Sequence, residues 1–359
     1  MKISVYVPCH NNESTIGAVL LGLRQQTRPA DEFLFVDDRC TDASPRIARE
    51  HGFEVLLMPG KQGLGAGRNC ALAHAVGDIL LGVDADVVVD TNYLEEMEKR
   101  FDAMSHIAAI GGRMDERYTD TPADLWRAVH MCQHLGPVER TDPRVLVGCN
   151  MACRTSVLRA VGGWNAGFTQ NFEDIELSAR IKRAGYHQLY APACHAWHLK
   201  RDTTDSVIRT AWHYNYYAGL EKVDPHLANI DKWAEQRLPF IWASYCKFRL
   251  GDMDHPSLRM ISLKAAWAWV IRDLHVVRKS EARVGEIRPV VDVARAVVTR
   301  CGMNAEATES LVGWLTELAV SLEQSGPARP ALNQDLANLI YSQALESIPD
   351  AHFWENFPM

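Results

Sequence analysis

The amino-acid sequence predicts an α/β protein: a mostly parallel sheet with helices on both faces, followed by a helical C-terminal region. Three observations carry that expectation. Short β-rich runs alternate with helix-like segments through the first part of the chain, the rhythm of a parallel sheet with crossover helices. Three of those runs end directly on polar or acidic residues, at Pro8 to Asn12, Asp37-Asp38 and Asp84-Ala85-Asp86. Beyond about Asp202 the rhythm gives way to long helical and aromatic stretches.

The elements follow in order. Ile3 to Val7 reads as a strand that ends at Pro8, and Asn11, Asn12 and Ser14 offer caps for a helix over Ile16 to Gln25. Phe33 to Val36 is a second strand. Thr41, Asp42 and Ser44 can cap a helix through Glu50, with Gly52 as its stop. Phe53 to Met58 is a third strand. Gly63-Leu64-Gly65-Ala66-Gly67 opens a helix over Arg68 to Val76, and Ile79 to Val83 is a fourth strand. In the middle of the chain, Ala108 to Gly111 reads as a strand and Asp124 to Leu135 as a helix. Val145 to Gly148 reads as a strand entering a turn at Cys149 to Cys153. Phe172 to Ala184 is a helix with Asn171 as cap, Glu173 and Asp174 in its first turn and Gly185 as its stop. Arg283 to Leu322 looks helical, and Gly326 to Pro330 a turn or linker. These boundaries place one domain at residues 1–220 and a mainly helical region at 221–359.

Composition bounds the function. The chain has 359 residues, 47% hydrophobic and 23% charged, enough to bury a sizeable core. A net charge of -7 argues against a general nucleic-acid binder. The 9 cysteines are scattered and odd in number, which points to reduced thiols rather than a disulfide framework. Cys149 and Cys153 lack a second pair at zinc-site spacing. Met1-Lys2 leads straight into a strand, so no leader is expected, and no run approaches the roughly 20 apolar residues that span a bilayer. The expected location is cytoplasmic, with a peripheral contact at the inner membrane face left open.

Several constellations carry chemistry. Asp84 and Asp86 place two carboxylates past a buried strand, and hard cations bind through one or two carboxylates plus substrate phosphates. Asp37 and Asp38 can accept hydrogen bonds from a base edge or ribose, or one of them can cap the next helix. Gly63 to Asn69 is glycine-rich but has neither the G-x-G-x-x-G spacing nor a G-K-[ST] ending. Arg68 at its end faces either a nucleotide or solvent. Glu173-Asp174 could deprotonate a hydroxyl, or simply complement the helix dipole. In His195-Ala196-Trp197-His198, His198 could add a nitrogen ligand to a Mn²⁺ site or serve structure alone.

Together these residues resemble the family 2 inverting glycosyltransferases of the GT-A fold. The blocks are Val5-Tyr6-Val7-Pro8-Cys9-His10-Asn11, Val36-Asp37-Asp38-Arg39-Cys40-Thr41-Asp42, Gly67-Arg68-Asn69 and Val83-Asp84-Ala85-Asp86. Gly148-Cys149-Asn150-Met151-Ala152 with Gly162-Gly163-Trp164, and Phe172-Glu173-Asp174-Ile175-Glu176-Leu177, complete the order. The resemblance implies that Pro8, His10, Asn11 and Asp38 face the nucleoside, with Asp37 a lesser candidate, and that Arg68 sits near the base or diphosphate. It implies that Asp84 faces the donor's ribose or sugar, that Asp86 and His198 hold a divalent cation, Mn²⁺ or Mg²⁺, and that Asp174 is the base, with Glu173 beside it. Asn150, Met151 and Trp164 would shape the sugar and acceptor pocket. Arg39-Cys40 stands where the family often has Gly-Ser. The Gln-x-x-Arg-Trp block and membrane helices of processive members are absent, which favours single addition.

The resemblance therefore implies an inverting hexosyl transfer from a nucleoside-diphosphate sugar, UDP-linked by default, to a glycan, lipid-linked or protein acceptor. A nucleotidyltransferase on a similar sheet would carry a G-x-G-T-R-like loop after its first strand, and Pro8 to Asn12 is not one. A non-catalytic nucleotide- or sugar-binding module would lack a metal carboxylate or the base. The aromatic clusters at Trp212 to Tyr217, Leu238 to Trp242 and Trp267 to Trp269 fit a helical core, a homodimer interface or a membrane surface.

Overall fold

The computed structural model describes residues 1–211, together with 258, 260–262, 264–265, 305–306, 309–310, 312–314 and 317. The aromatic clusters after Ala211, the 326–330 turn and most of the expected helical region lie outside the described residues.

Sixteen elements follow one another among the described residues: β1 (Ile3–Cys9), α1 (Ile16–Arg24), β2 (Glu32–Asp37), α2 (Ser44–Glu50), β3 (Glu54–Leu57), α3 (Leu64–His74), β4 (Ile79–Val83), β5 (Val87–Val89), α4 (Tyr93–Ala103), β6 (Ile107–Glu116), α5 (Pro122–His130), β7 (Arg140–Thr141), β8 (Asn150–Arg154), α6 (Thr155–Ala160), α7 (Glu173–Arg183) and β9 (His187–His198). The sheet runs β3-β2-β1-β4-β8-β6-β9-β5, with β7 also paired to β9. Its first part is parallel, β1 pairing with both β2 and β4 and β2 with β3. β8 then enters antiparallel between β4 and β6, while β6 and β9 run parallel. The chain steps outward from β1 to β3 and returns to the other side of β1 as β4. The strand order thus reverses between β1 and β4, and open α/β sheets bind ligands beyond the carboxyl ends at that point.

Alternation along the strands explains the two-faced core. Ile3, Val5 and Val7 of β1 join Ile16, Leu20, Ile79, Leu81, Tyr93 and Met97 on one face. Tyr6 of β1 joins Leu34, Val36, Leu80, Met151, Leu158, Trp164 and Leu177 on the other. All five residues of β4 are buried, as a strand covered on both faces must be. All nine of the described strands belong to one compact unit that includes residues 1–118 and 132–201, and residues 119–131 and 202–211 belong to a second. In that second unit, Arg127 Nε donates to the Asp202 carboxylate, Asp124 Oδ1 accepts from Asp202 N at 2.8 Å, and Trp126 Nε1 donates to Ser262 Oγ at 2.8 Å. Among the described residues, no helix is long and apolar enough to cross a membrane.

The structure differs from the sequence reading in four elements. Val145 to Gly148 is no strand; the strand is Asn150–Arg154, after the turn rather than before it. The amides of this segment find side-chain partners instead of a ladder: Leu146 N reaches Ser178 Oγ at 3.5 Å, and Gly148 N donates to Asp174 Oδ2 at 2.9 Å. The helix expected to reach Leu135 ends at His130. α3 begins at Leu64 rather than Arg68, because Gly63 takes a left-handed φ of 82° and turns the chain into the helix directly. Phe172, with φ 75°, stands at the start of α7, and Asn171 makes no cap.

Candidate active site

The loop Asp84-Ala85-Asp86 joins β4 to β5 and is pinned through its backbone. Asp84 N donates to Cys149 O at 3.0 Å, Thr15 Oγ1 donates to Ala85 O at 2.8 Å, and Leu199 N donates to Asp86 O at 2.7 Å. The two carboxylates therefore project from a fixed frame into different surroundings.

Asp84 faces an arginine. Arg68, one turn into α3, is only 1% exposed, which excludes the solvent-facing alternative for this residue. Its Nη2 donates to Asp84 Oδ1 at 3.1 Å, its Nη1 donates to Tyr6 OH at 3.1 Å, and its Nε lies 3.4 Å from Glu173 Oε1. Burying a guanidinium is costly unless it is paired, and here carboxylates on two other elements pair it. Burial pushes the Asp84 carboxyl above its usual range; Arg68 opposes this and nearby Asp86 adds to it.

Asp86 faces a histidine. His198, the last residue of β9, holds its Nε2 3.4 Å from Asp86 Oδ2 and its Nδ1 2.9 Å from Glu116 Oε2 on β6. Burial works to raise the Asp86 pKa, but the His198 ring outweighs it and the group lies below its usual range. Burial works to lower the His198 pKa, yet the flanking carboxylates push it up to about 9.

The glycine turn before β8 brings the third group. Asp174 Oδ2 accepts from Gly148 N at 2.9 Å and Oδ1 from Ile175 N at 2.7 Å. Glu173 is 2% exposed with Oε2 unpartnered, whereas Asp174 is partly exposed. Burial raises both carboxyls, Glu173 to about 8 with Asp174 adding and Arg68 opposing, while the two backbone amides hold Asp174 back. A Cβ at Gly148 would stand 3.1 to 3.2 Å from Asp174 Cβ, Arg68 Nη2 and Glu173 Oε1, so glycine is what lets these groups converge.

The groups after β1 and β2 form a neighbouring cluster. His10 Nδ1 is 2.8 Å from Asp38 O, and His10 Nε2 is 3.0 Å from Lys61 Nζ. Asp37 Oδ1 accepts from Cys40 N at 2.8 Å, holding the turn that follows β2. Asn11 Oδ1 accepts from Thr41 N at 2.7 Å. Asp38 accepts from Gln62 N and Gly63 N at 2.8 and 2.9 Å, and Thr169 O and Phe168 O take Leu64 N and Gly65 N. The amides of the glycine-rich segment are therefore engaged within the protein rather than arranged as a phosphate cradle.

Three expected pocket residues sit deeper. Met151 is enclosed in the core beside Tyr6 and Leu146, and Asn150 is fully buried with its carbonyl accepting from Tyr93 OH at 2.5 Å. Their side chains are enclosed, Met151 in the core and Asn150 with its Nδ2 donating to Arg113 O at 3.4 Å, rather than lining an open surface. Trp164 packs edge-on to Tyr6 at 6.2 Å, with its Nε1 buried and unpartnered. Tyr6 and Glu116 were missed in the sequence. Tyr6 is legible as the position facing opposite to Val5 and Val7; Glu116 is not, because the strand pattern at Ala108 to Gly111 ends five residues before it, while the strand itself continues to Glu116.

The residues around Asp86 suit a divalent cation. His198 has one nitrogen fixed by a carboxylate and the other aimed at Asp86, the arrangement that orients a histidine ligand. Among the described residues no group of three or more His, Cys, Asp or Glu closes around one point. Asp86 and His198 are the residues that would hold such a cation, a small donor set of the kind Mg²⁺ accepts when it is shared with a substrate.

A mostly parallel sheet that reverses order between β1 and β4, with carboxylates at that point and a carboxylate pair across from them, defines an open α/β fold with its polar groups at the switch point. Residues 4–162 match the model of the family "Glycosyl transferase family 2". It is 24% identical over 230 residues to the probable glycosyltransferase YdaM of Bacillus subtilis, covering 56% of this chain and 51% of that protein. It is 27% identical over 223 residues to glycosyltransferase AglD of Haloferax volcanii, covering 58% of this chain and 35% of that one. The chain thus spans about half or less of the length of these relatives. Among solved structures it is similar to Staphylococcus aureus TarS 1-349 in complex with UDP, with TM-score 0.47, 19% identity, and 80% and 93% of the two chains covered.

Proposed function

We propose that this protein is an inverting, metal-dependent glycosyltransferase that moves a hexosyl group from a nucleoside-diphosphate sugar to an acceptor hydroxyl in single additions. One observation carries the reading. Arg68 ties Asp84 to Glu173 while Gly148 holds Asp174, so a donor-facing carboxylate and a carboxylate pair share one frame at the strand-order reversal. The match to the glycosyl transferase family 2 model supports the same reading.

Each residue has a part. His10, Asn11 and Asp38 line the nucleoside side, and Asp84 faces the donor's ribose or sugar. Asp86 and His198 hold the cation, which when bound would neutralise charge on the departing diphosphate. Asp174 is the base: it is the partly exposed member of the pair, and its two backbone hydrogen bonds keep it ionised more readily than Glu173. It takes the proton of the acceptor hydroxyl as that oxygen bonds to the anomeric carbon. The bond from that carbon to the diphosphate oxygen breaks on the opposite side, and the configuration inverts. Glu173 holds Arg68 and the start of α7 in place. A UDP-sugar is the first donor to try, and glycan, lipid-linked or protein hydroxyls are the acceptors.

The reading is tested by thermal shift against a panel of nucleoside diphosphates with and without Mn²⁺. It predicts metal-dependent stabilisation by at least one, since a ligand bound only to the folded state at 100 times its Kd adds about 2.7 kcal/mol. Stabilisation by none of them, or stabilisation equal in Asp86→Ala, would count against it.

A further inference from the structure

Two cysteines lie where the loops after β1 and β2 meet. Cys9 is the last residue of β1, and Cys40 stands in the turn after β2. Both are free, Cys9 buried and Cys40 partly exposed, and their sulfurs are 3.9 Å apart. The Cys40 thiol also lies 3.4 Å from Cys9 O, the Asn11 amide donates to Cys40 Sγ at 3.4 Å, and Asn12 Nδ2 approaches Cys9 Sγ at 4.0 Å. The same seam holds Asn11, at a left-handed φ of 58°, against Thr41. Both sulfurs therefore lie between two loops whose backbones already touch.

We propose that Cys9 and Cys40 are a reversible redox-modification site that a peroxide closes to a disulfide, locking the loop after β1 to the turn after β2. The bond itself does not depend on the proposed function; only its effect on nucleotide binding rests on that reading. The chemistry balances. One of the two sulfurs attacks a peroxide oxygen as the thiolate, the O–O bond breaks, and the expelled hydroxide leaves as water. The other sulfur then attacks that sulfenic acid; the S–S bond forms, the S–O bond breaks, and a second water carries off the proton of the second thiol. Two electrons pass from the thiols to the peroxide.

Local chemistry sets the reduced pair apart. Their mutual contact holds the Cys9 thiol below its ordinary range although burial opposes it, and the same contact together with burial pushes the Cys40 thiol up, so Cys9 is the readier thiolate and Cys40 the more accessible sulfur. Closing the gap from 3.9 Å to about 2.05 Å draws the two sulfurs together across the seam. Cys9 is fixed in a strand paired on both sides, so the backbone adjustment falls on the turn at residues 38–42. Asp38 in that turn holds Gln62 N and Gly63 N, so the glycine-rich segment moves with it.

The test uses the whole chain. The reduced protein is treated with hydrogen peroxide, remaining thiols are alkylated, and tryptic peptides are weighed. The expected product is a linked pair of peptides carrying Cys9 and Cys40, lighter than their sum by two hydrogens and separated by dithiothreitol. Deuterium exchange at residues 9–13 and 38–44 should slow several-fold on oxidation and recover on reduction. Cys40→Ser, at a partly exposed position, should abolish both changes while keeping the fold. UDP titrated in the presence of Mn²⁺ should bind the oxidised form several-fold more weakly. Oxidation of Cys132 or Cys70 with Cys9 and Cys40 still separately alkylated would overturn the proposal, as would a linked pair without any change in exchange. Absence of UDP binding in the reduced protein would count against the proposed function alone, with the linked peptide still deciding this one.

Discussion

At the scale of the residue, one buried arginine divides four carboxylates. Arg68 takes Asp84 and Glu173, leaving Asp174 to backbone amides and Asp86 to His198. Replacing Arg68 by Met leaves buried carboxylates without a counter-charge and should cost about 3 kcal/mol, read by chemical denaturation. Asp174→Asn should lower transfer by roughly 10²- to 10⁴-fold with nucleotide affinity unchanged, the signature of a lost base. Glu173 gives a pH prediction of definite sign. Its pKa is raised from 4.5 to about 8 in the folded protein, so between those values the folded state holds a proton that the unfolded state has lost. Stability from this group is complete below pH 4.5 and falls as pH rises through the window, by up to about 1.4 kcal/mol per unit. Glu173→Gln should flatten that slope; an unchanged slope would remove Glu173 as its source. The residue types and their order were legible in the sequence because each acid follows a strand. The partner of each was not, because partnership depends on which loops cross in space.

At the scale of the element, glycine conformations and backbone hydrogen bonds decide where the site sits. Gly63 opens α3 at φ 82°, and a Cβ there would run into the backbone of Thr169. Gly63→Ala should therefore cost about 1–3 kcal/mol and lower the melting temperature, with the loss carried by the contact between the glycine-rich segment and residues 168–169. The first four strands were readable because apolar runs alternate with capped or glycine-punctuated segments. β8 was misplaced because Val145 to Gly148 is as apolar as a strand, while its amides are taken by Ser178 and Asp174, partners 32 and 26 residues away. Pattern reading sees the hydrophobicity but not the competing acceptors. The length of β6 was missed for a related reason: Gly111 and Gly112 continue the strand where the long β9 packs closely against them.

At the scale of the molecule, the fold places the carboxyl ends of β1, β2 and β4 side by side and brings the end of β9 to the loop after β4 through the His198–Asp86 contact, and function is proposed from that convergence. Binding should accordingly be linked to the cation: nucleoside diphosphate should stabilise the protein with Mn²⁺ and lose most of that effect when the metal is chelated. The most direct measurement is release of nucleoside diphosphate from a panel of nucleotide sugars with Mn²⁺, with the native chain, Asp86→Ala and Asp174→Asn side by side. The native chain should turn over at least one donor, stimulated by acceptor, with turnover lost together with metal binding in Asp86→Ala and lost in Asp174→Asn despite retained nucleotide binding. Equal turnover in all three proteins would contradict it.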